Sequence, residues 1–344
     1  MSRETLNWLN NNVLVGFTEQ RGNAWHYRQG SDNHYTGPVP IEDVRKRLFD
    51  WEAVESPVLL GETVTDADGD STVTLPGPVL PAYKAISHSK TGRVFQIAKQ
   101  GWTPHNYDEW LLTNVEHMLD DDLQIGTAGL LRGGGQAWVQ IEVPETMEFA
   151  GGLKARPFLL AYTSLDGSLA TTYGGSVTST VCDNTLTIAS GQHGGFRHKV
   201  RHSSKSLGRI QDVREALGIV HTFADEFGKQ VEELLNQHIT DRQFDKLVAD
   251  MVPFPEDPKK AMGAYNAAVK KRQHLTDMYR FDVRAASWRG TAFGAWAAFN
   301  TFDQHETKLR AETNRVERNA RRMLEGQQRN LDATILDKIV ELAA

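Results

Sequence analysis

Four stretches of this 344-residue chain, and an acidic tip besides, carry side chains able to do chemistry. The first is the lone cysteine, Cys182, with His193, His198 and His202 downstream. A thiol with nearby imidazoles is the raw material of a nucleophile or a zinc site. The histidine spacing fits no metal-ligand pattern, and no second cysteine supports one. Cys182 also ends a β-branched run, where a small apolar residue packs. A structural thiol and a solvated histidine loop are therefore favoured over a metal-dependent enzyme. The second stretch is Asp303, His305 and Glu306. On a helix, residues two apart point about 200° away from each other, so Asp303 and His305 are expected on a helix surface rather than on one metal.

The third stretch, Arg132-Gly133-Gly134-Gly135, looks like a phosphate cradle but lacks the Gly-Lys-Ser/Thr ending and the strand-to-helix setting. It reads as a hairpin turn. An acidic tip at Asp66, Asp68 and Asp70 lacks the terminal glutamate of a calcium loop and reads as a solvated turn. No G-x-S-x-G, H-E-x-x-H or nucleotide-hydrolysis motif occurs, so no catalytic residue, metal or cofactor is expected.

The fourth stretch is the richest. Arg197, His198, Lys199, Arg201, His202, Lys205 and Arg209 follow one another among glycines and small polar residues, with no carboxylate between them. Phosphate backbones are held mainly by arginine, lysine and hydroxyl side chains, so a nucleic-acid contact and a plain solvated loop are the two readings. Trp102 and Tyr107 are the candidates for stacking on bases, with core packing as the alternative.

The elements that must position these residues are legible in the pattern. A short helix is expected around Ile41 to Leu48, and a loop or hairpin over 61–81. Strands are expected at 83–88, 94–99, 123–131, 137–143, 158–163 and 170–181. A helix capped by Asn106, with Glu109 reaching back, falls between the second and third. The result is an α+β fold with a largely antiparallel sheet in β-β-α-β-β-β order, and the basic stretch following as a loop. From Gly208 the chain turns helical: a heptad-like seam runs from Ile210 to His238, prolines follow at 253, 255 and 258, and basic, aromatic-rich and amphipathic helices follow to the end. The seam suits packing within the chain or a subunit contact. The organisation expected is an N-terminal extension (1–80), an α+β core (81–207), a long helical segment (208–252) and a helical C-terminal region (253–344).

Composition narrows the class. Hydrophobic content of 40% and charged content of 24% belong to a soluble globular protein. A net charge of −6 excludes a generally basic nucleic-acid coat, so such a role must come from a local patch. No apolar run is long enough for a membrane span or a signal peptide, and with one cysteine a cytoplasmic location is expected.

Several phrases resemble a known family: GWTPHNYDEW (101–110), TAGLLRGG (127–134) with Trp138, FLLAYTSLDGS (158–168), TSTVCDNTL (178–186), RHSSK (201–205) and AAFNTFDQHETKLR (297–310). In combination they are similar to the uncharacterised phage/plasmid-like proteins of actinobacterial phages and mobile elements. The order of elements also resembles, more weakly, the RecT and Red-beta type of annealing protein. That likeness implies a homo-oligomer, ring or filament, that binds single-stranded DNA without hydrolysing nucleotide. The function expected is therefore single-strand binding or annealing in recombination or replication. The alternative is an oligomeric scaffold or host-interaction protein with no nucleic-acid ligand.

Overall fold

The computed structural model describes residues 10–21, 29–65, 67–74, 77–116, 119, 123–142, 147–179, 185–186, 197–203, 206, 218–309 and 315–343. It is α+β, with antiparallel sheets in the N-terminal half and mostly helices in the C-terminal half. The chain divides into two compact units. The first comprises Met1–Glu142, Leu159–Gly174 and Arg197–Leu217, and the second comprises the remainder.

The first unit is built on a sheet of β1 (Val13–Val15), β7 (Gln124–Leu131), β8 (Gln136–Glu142), residues 159–164 of β10 (Lys154–Ser164) and residues 171–174 of β11 (Thr171–Ser179), side by side. A last strand, β13 (Arg197–Val200), pairs with β11. Strands β7 and β8 are buried at almost every position, which explains their near-continuous apolar sequences rather than a two-residue alternation. Gly129 stands opposite Trp138 in their ladder, and a Cβ there would lie 2.2 Å from the indole. The glycine is the space that the tryptophan fills. Helix α1 (Ile41–Leu48) packs through Val44 and Leu48.

A smaller sheet, β2 (Ala53–Leu59), β5 (Val79–His88) and β6 (Val94–Lys99), belongs to the same unit. A two-stranded hairpin, β3 (Glu62–Thr65) with β4 (Ser71–Thr74), forms the segment with the acidic tip. The strands at 83–88 and 94–99 are thus in a separate sheet from the four that follow. The patterns of single strands carry no information on which sheet each will join.

Two local expectations are corrected. Asn106 does not cap the following helix with its side chain; its Oδ1 accepts the backbone N–H of Ala53 at 2.9 Å instead. The helix it precedes, Asp108–Thr113, is a wide π-helix that buries Trp110, Leu111 and Leu112 consecutively. The residues after Phe196 do not begin as a loop: Arg197–Val200 is a strand. Its backbone completes a ladder with β11, and the cations of its sequence had disguised it.

The second unit is mainly helical. After β9 (Met147–Glu148) and β12 (Thr185–Leu186) come α2 (Gly218–Asn236), α3 (Asp241–Met251), α4 (Met262–Phe281), α5 (Ala292–Thr301), α6 (Arg315–Leu324) and α7 (Gln327–Ala343). Helix α5 is buried from Ala292 to Asn300, as a helix apolar on every side must be. Phe293, Trp296 and Phe299 pack there with Phe244, Tyr279 and Ile335. Of the heptad seam, Phe227, Val231 and Leu234 lie in this same core and pack within the chain, whereas His238 is exposed. Residues 210–217 of the seam lie outside the described residues. Helix α3 starts with a reciprocal cap between Thr240 and Gln243. Among the described residues no helix is long and apolar enough to cross a membrane.

Candidate nucleic-acid interface

Strand β13 pairs antiparallel with β11, setting Thr171 opposite Val200, Thr172 opposite Lys199 and Tyr173 opposite His198. Val200 is buried, whereas Lys199 and the following Arg201 are exposed. The ladder thus holds a backbone that presents cations outward. His198 is only partly exposed, and its Nε2 is buried without a hydrogen-bond partner. Arg197 takes the register position opposite Gly174. Lys205, Arg209, Cys182 and His193 lie outside the described residues.

His202 turns inward and enters a stack of four rings. Trp102 lies on His202 at 4.6 Å, His202 on His105 at 4.1 Å, and His105 on Trp110 at 3.7 Å, all near parallel. Trp110 and His105 are buried, and Trp102, at the outer end, is partly exposed. Among the described residues no ring covers its other face.

A chain of hydrogen bonds runs beside the stack and fixes both imidazoles. The Thr103 carbonyl can only accept, so His202 Nδ1 donates to it, at 3.0 Å. His202 Nε2 is then an acceptor, 3.3 Å from the Thr163 hydroxyl. With Thr163 donating there, it accepts from Thr171 at 2.6 Å, and Thr171 in turn accepts from His105 Nδ1 at 2.6 Å. Ser206 donates its one proton to the Ser203 carbonyl at 2.5 Å, so the 2.9 Å contact between its hydroxyl and His105 Nε2 receives no proton from the serine.

Burial, reinforced by the neighbouring His202, pushes the His105 pKa down to about 3. Burial pushes His202 down to about 4, although carbonyls at Thr103 and Leu169 pull the other way. Both rings are neutral near pH 7. His202, counted from sequence among the cations, is therefore an uncharged ring that props Trp102. Its imidazole desolvates on entering the stack, and among the described residues no carboxylate compensates it.

Tyr107 is removed from any exposed role. It is 2% exposed, and its hydroxyl donates to the Gly134 carbonyl at 2.7 Å. The glycine turn it supports joins β7 to β8 and begins with Arg132 in the left-handed region, at φ 50°. Arg132 pairs with Asp166 at 2.9 Å, and Gln136 donates to the Ser168 hydroxyl at 2.7 Å. The phrases at 101–110, 127–134 and 158–168 thus converge on one end of the sheet.

The polar cluster at Asp303 is already occupied. Its carboxylate accepts from Arg318 and Arg322, each at 3.0 Å, across the π-helical turn Phe302–Glu306. Among the described residues no three His, Cys, Asp or Glu side chains gather as a metal site.

Sequence reasoning missed His105, Thr163, Thr171 and Ser206. The signal available was the regular placing of Trp102, His105 and Trp110 within nine residues, an aromatic density that a surface turn does not need.

No curated protein and no solved structure matches the chain. A family model described as a domain of unknown function, DUF932, matches residues 94–324. That match covers the ring stack, the glycine turn, β13 and helices α2 to α6, and the chain therefore belongs to the DUF932 family.

Proposed function

We propose that the protein is a single-stranded DNA-binding or annealing protein of a phage or mobile element, working without nucleotide hydrolysis. One observation carries this reading: an exposed cationic stretch, Lys199 and Arg201, runs directly into the ring stack whose outermost member is the partly exposed Trp102. Phosphate contacts beside an aromatic platform are what sequence-tolerant single-strand binding requires. A four-ring column gives the outer tryptophan a rigid backing, so a base stacking on it orders little besides itself.

The test is oligonucleotide affinity against salt for the natural protein and for Lys199→Ala/Arg201→Ala/Lys205→Ala. Three lost phosphate contacts flatten the log–log slope by about 2 units. A slope near zero in the natural protein removes phosphate contacts from the account. Faster pairing of complementary oligonucleotides without ATP identifies annealing.

A second reading, an assembly protein without a nucleic-acid ligand, is favoured by a different surface. Register places Val54, Tyr83, Val94 and Ile97 on one face of the β2–β5–β6 sheet, and all four are exposed. Light scattering with and without single-stranded DNA separates the two readings. An oligomer indifferent to DNA supports assembly alone.

A further inference from the structure

Helix α4 carries a cationic face that the stack and β13 do not use. Lys259 and Lys260 sit in the turn just before it, and Lys270 and Lys271 lie at its middle. All four are exposed. Between them, Gly263, Asn266 and Ala267 share a face with Lys270 by helical spacing, and these too are exposed. From Gly263 to Lys270 is about 10 Å along the axis.

The charge is partly offset locally: burial holds Lys271 below the ordinary lysine value, and Asp303 acts on it as a counter-charge. Asp257 lies 3.5 Å from the Lys260 ammonium, but its Oδ1 also accepts the backbone N–H groups of Lys259 and Lys260. Glu306 faces His274 at 3.7 Å. Arg272 is turned inward, donating to the carbonyls of Val252 and Ala249. In a chain of net charge −6, four exposed lysines around a smooth strip mark a local attraction for polyanions. The small side chains let an extended phosphate backbone lie close to the helix. No aromatic anchor stands on the strip, as a peptide partner would need.

We infer that this face of α4 holds the phosphate backbone of a second nucleic-acid strand, so that the protein binds two strands, one at each surface. The inference rests on the single-strand reading above and names what annealing adds to it: somewhere to hold the complement. Contacts are to phosphate alone, and the face is indifferent to base sequence.

The test uses Lys259→Ala/Lys260→Ala/Lys270→Ala; Lys271 is left because its ammonium packs over the Phe302 ring at 5.2 Å. The probes are a labelled oligothymidylate and a labelled complementary pair. Expected results are first-strand affinity within about threefold of the natural protein, an annealing rate lower by about tenfold, and an annealing salt slope reduced by about 2 units. Replacing the same three lysines by arginine restores annealing, which separates lost charge from a damaged fold. An alanine variant that anneals like the natural protein overturns the inference and leaves the single-strand reading standing. Equal loss of first-strand binding and annealing overturns the two-surface form. A natural protein that binds neither oligonucleotide overturns both readings, and retention on polyglutamate in that case would assign α4 to an acidic protein instead.

Discussion

Acid should unfold the first unit in a pH window set by two histidines. His105 and His202 titrate near 3 and 4 in the folded chain, against the ordinary histidine value of 6.5. Each is lowered on folding, so each contributes its full stability above pH 6.5 and loses it as pH falls toward the folded value. At about 1.4 kcal/mol per unit, the two together lose roughly 3–4 kcal/mol between pH 7 and pH 5. That is a large share of a typical domain's stability of about 5–15 kcal/mol. Burial also lowers His34 and His88 in the same unit, so they add to the loss in the same direction. The assay is paired: urea unfolding at pH 7, 6 and 5, with the imidazole C–H resonances followed by NMR over the same range. His105→Gln/His202→Gln should lower stability at pH 7, because it disturbs the stack. It should also remove most of the loss between pH 7 and pH 5. Imidazole midpoints near 6.5 in the folded protein, or a flat natural stability from pH 7 to 5, would refute the account of two neutral, buried rings.

Three further outcomes follow from packing and pairing. Asp303→Ala leaves the guanidinium groups of Arg318 and Arg322, mostly buried, without their carboxylate and should cost about 2–4 kcal/mol by denaturant titration. Gly129→Ala forces a methyl group against Trp138 and should cost about 1–3 kcal/mol, seen as a lowered Tm. Thr240→Ala removes the reciprocal cap of α3 and should cost about 1 kcal/mol, with hydrogen exchange faster in the first turn of that helix.

Much of the architecture was legible because burial imprints itself on sequence. The strands at 83–88, 94–99 and 158–163 lie within observed strands, and the helix at Ile41–Leu48 has those bounds. The α5 core was legible as an aromatic-rich helix, since a helix buried all round has no polar face to hide it. Other features were not visible for stated reasons. β13 looked like a loop because exposed strand positions may carry any cation, and its ladder partner β11 lies more than twenty residues upstream. His202 looked like a cation because charge state depends on burial, which no local pattern of basic residues records. The site's hydroxyls were invisible because Thr163, Thr171 and Ser206 are ordinary residues until the fold brings them to His105. Asp303 looked like a ligand until the arginines of α6 were placed against it; the density of arginine at 315–322 was the available hint.

The ring stack also bears on the order of events in folding. Ser206 meets His105 across 101 residues of chain, and His202 meets Thr103 across 99. Closing so long a loop costs entropy that is recovered only after the intervening strands have paired. The stack should therefore be among the last features of the first unit to form, absent from the rate-limiting transition state. Changes to Trp102 or His105 should leave the refolding rate nearly untouched and speed unfolding, so the native half-life is where their effect will be felt.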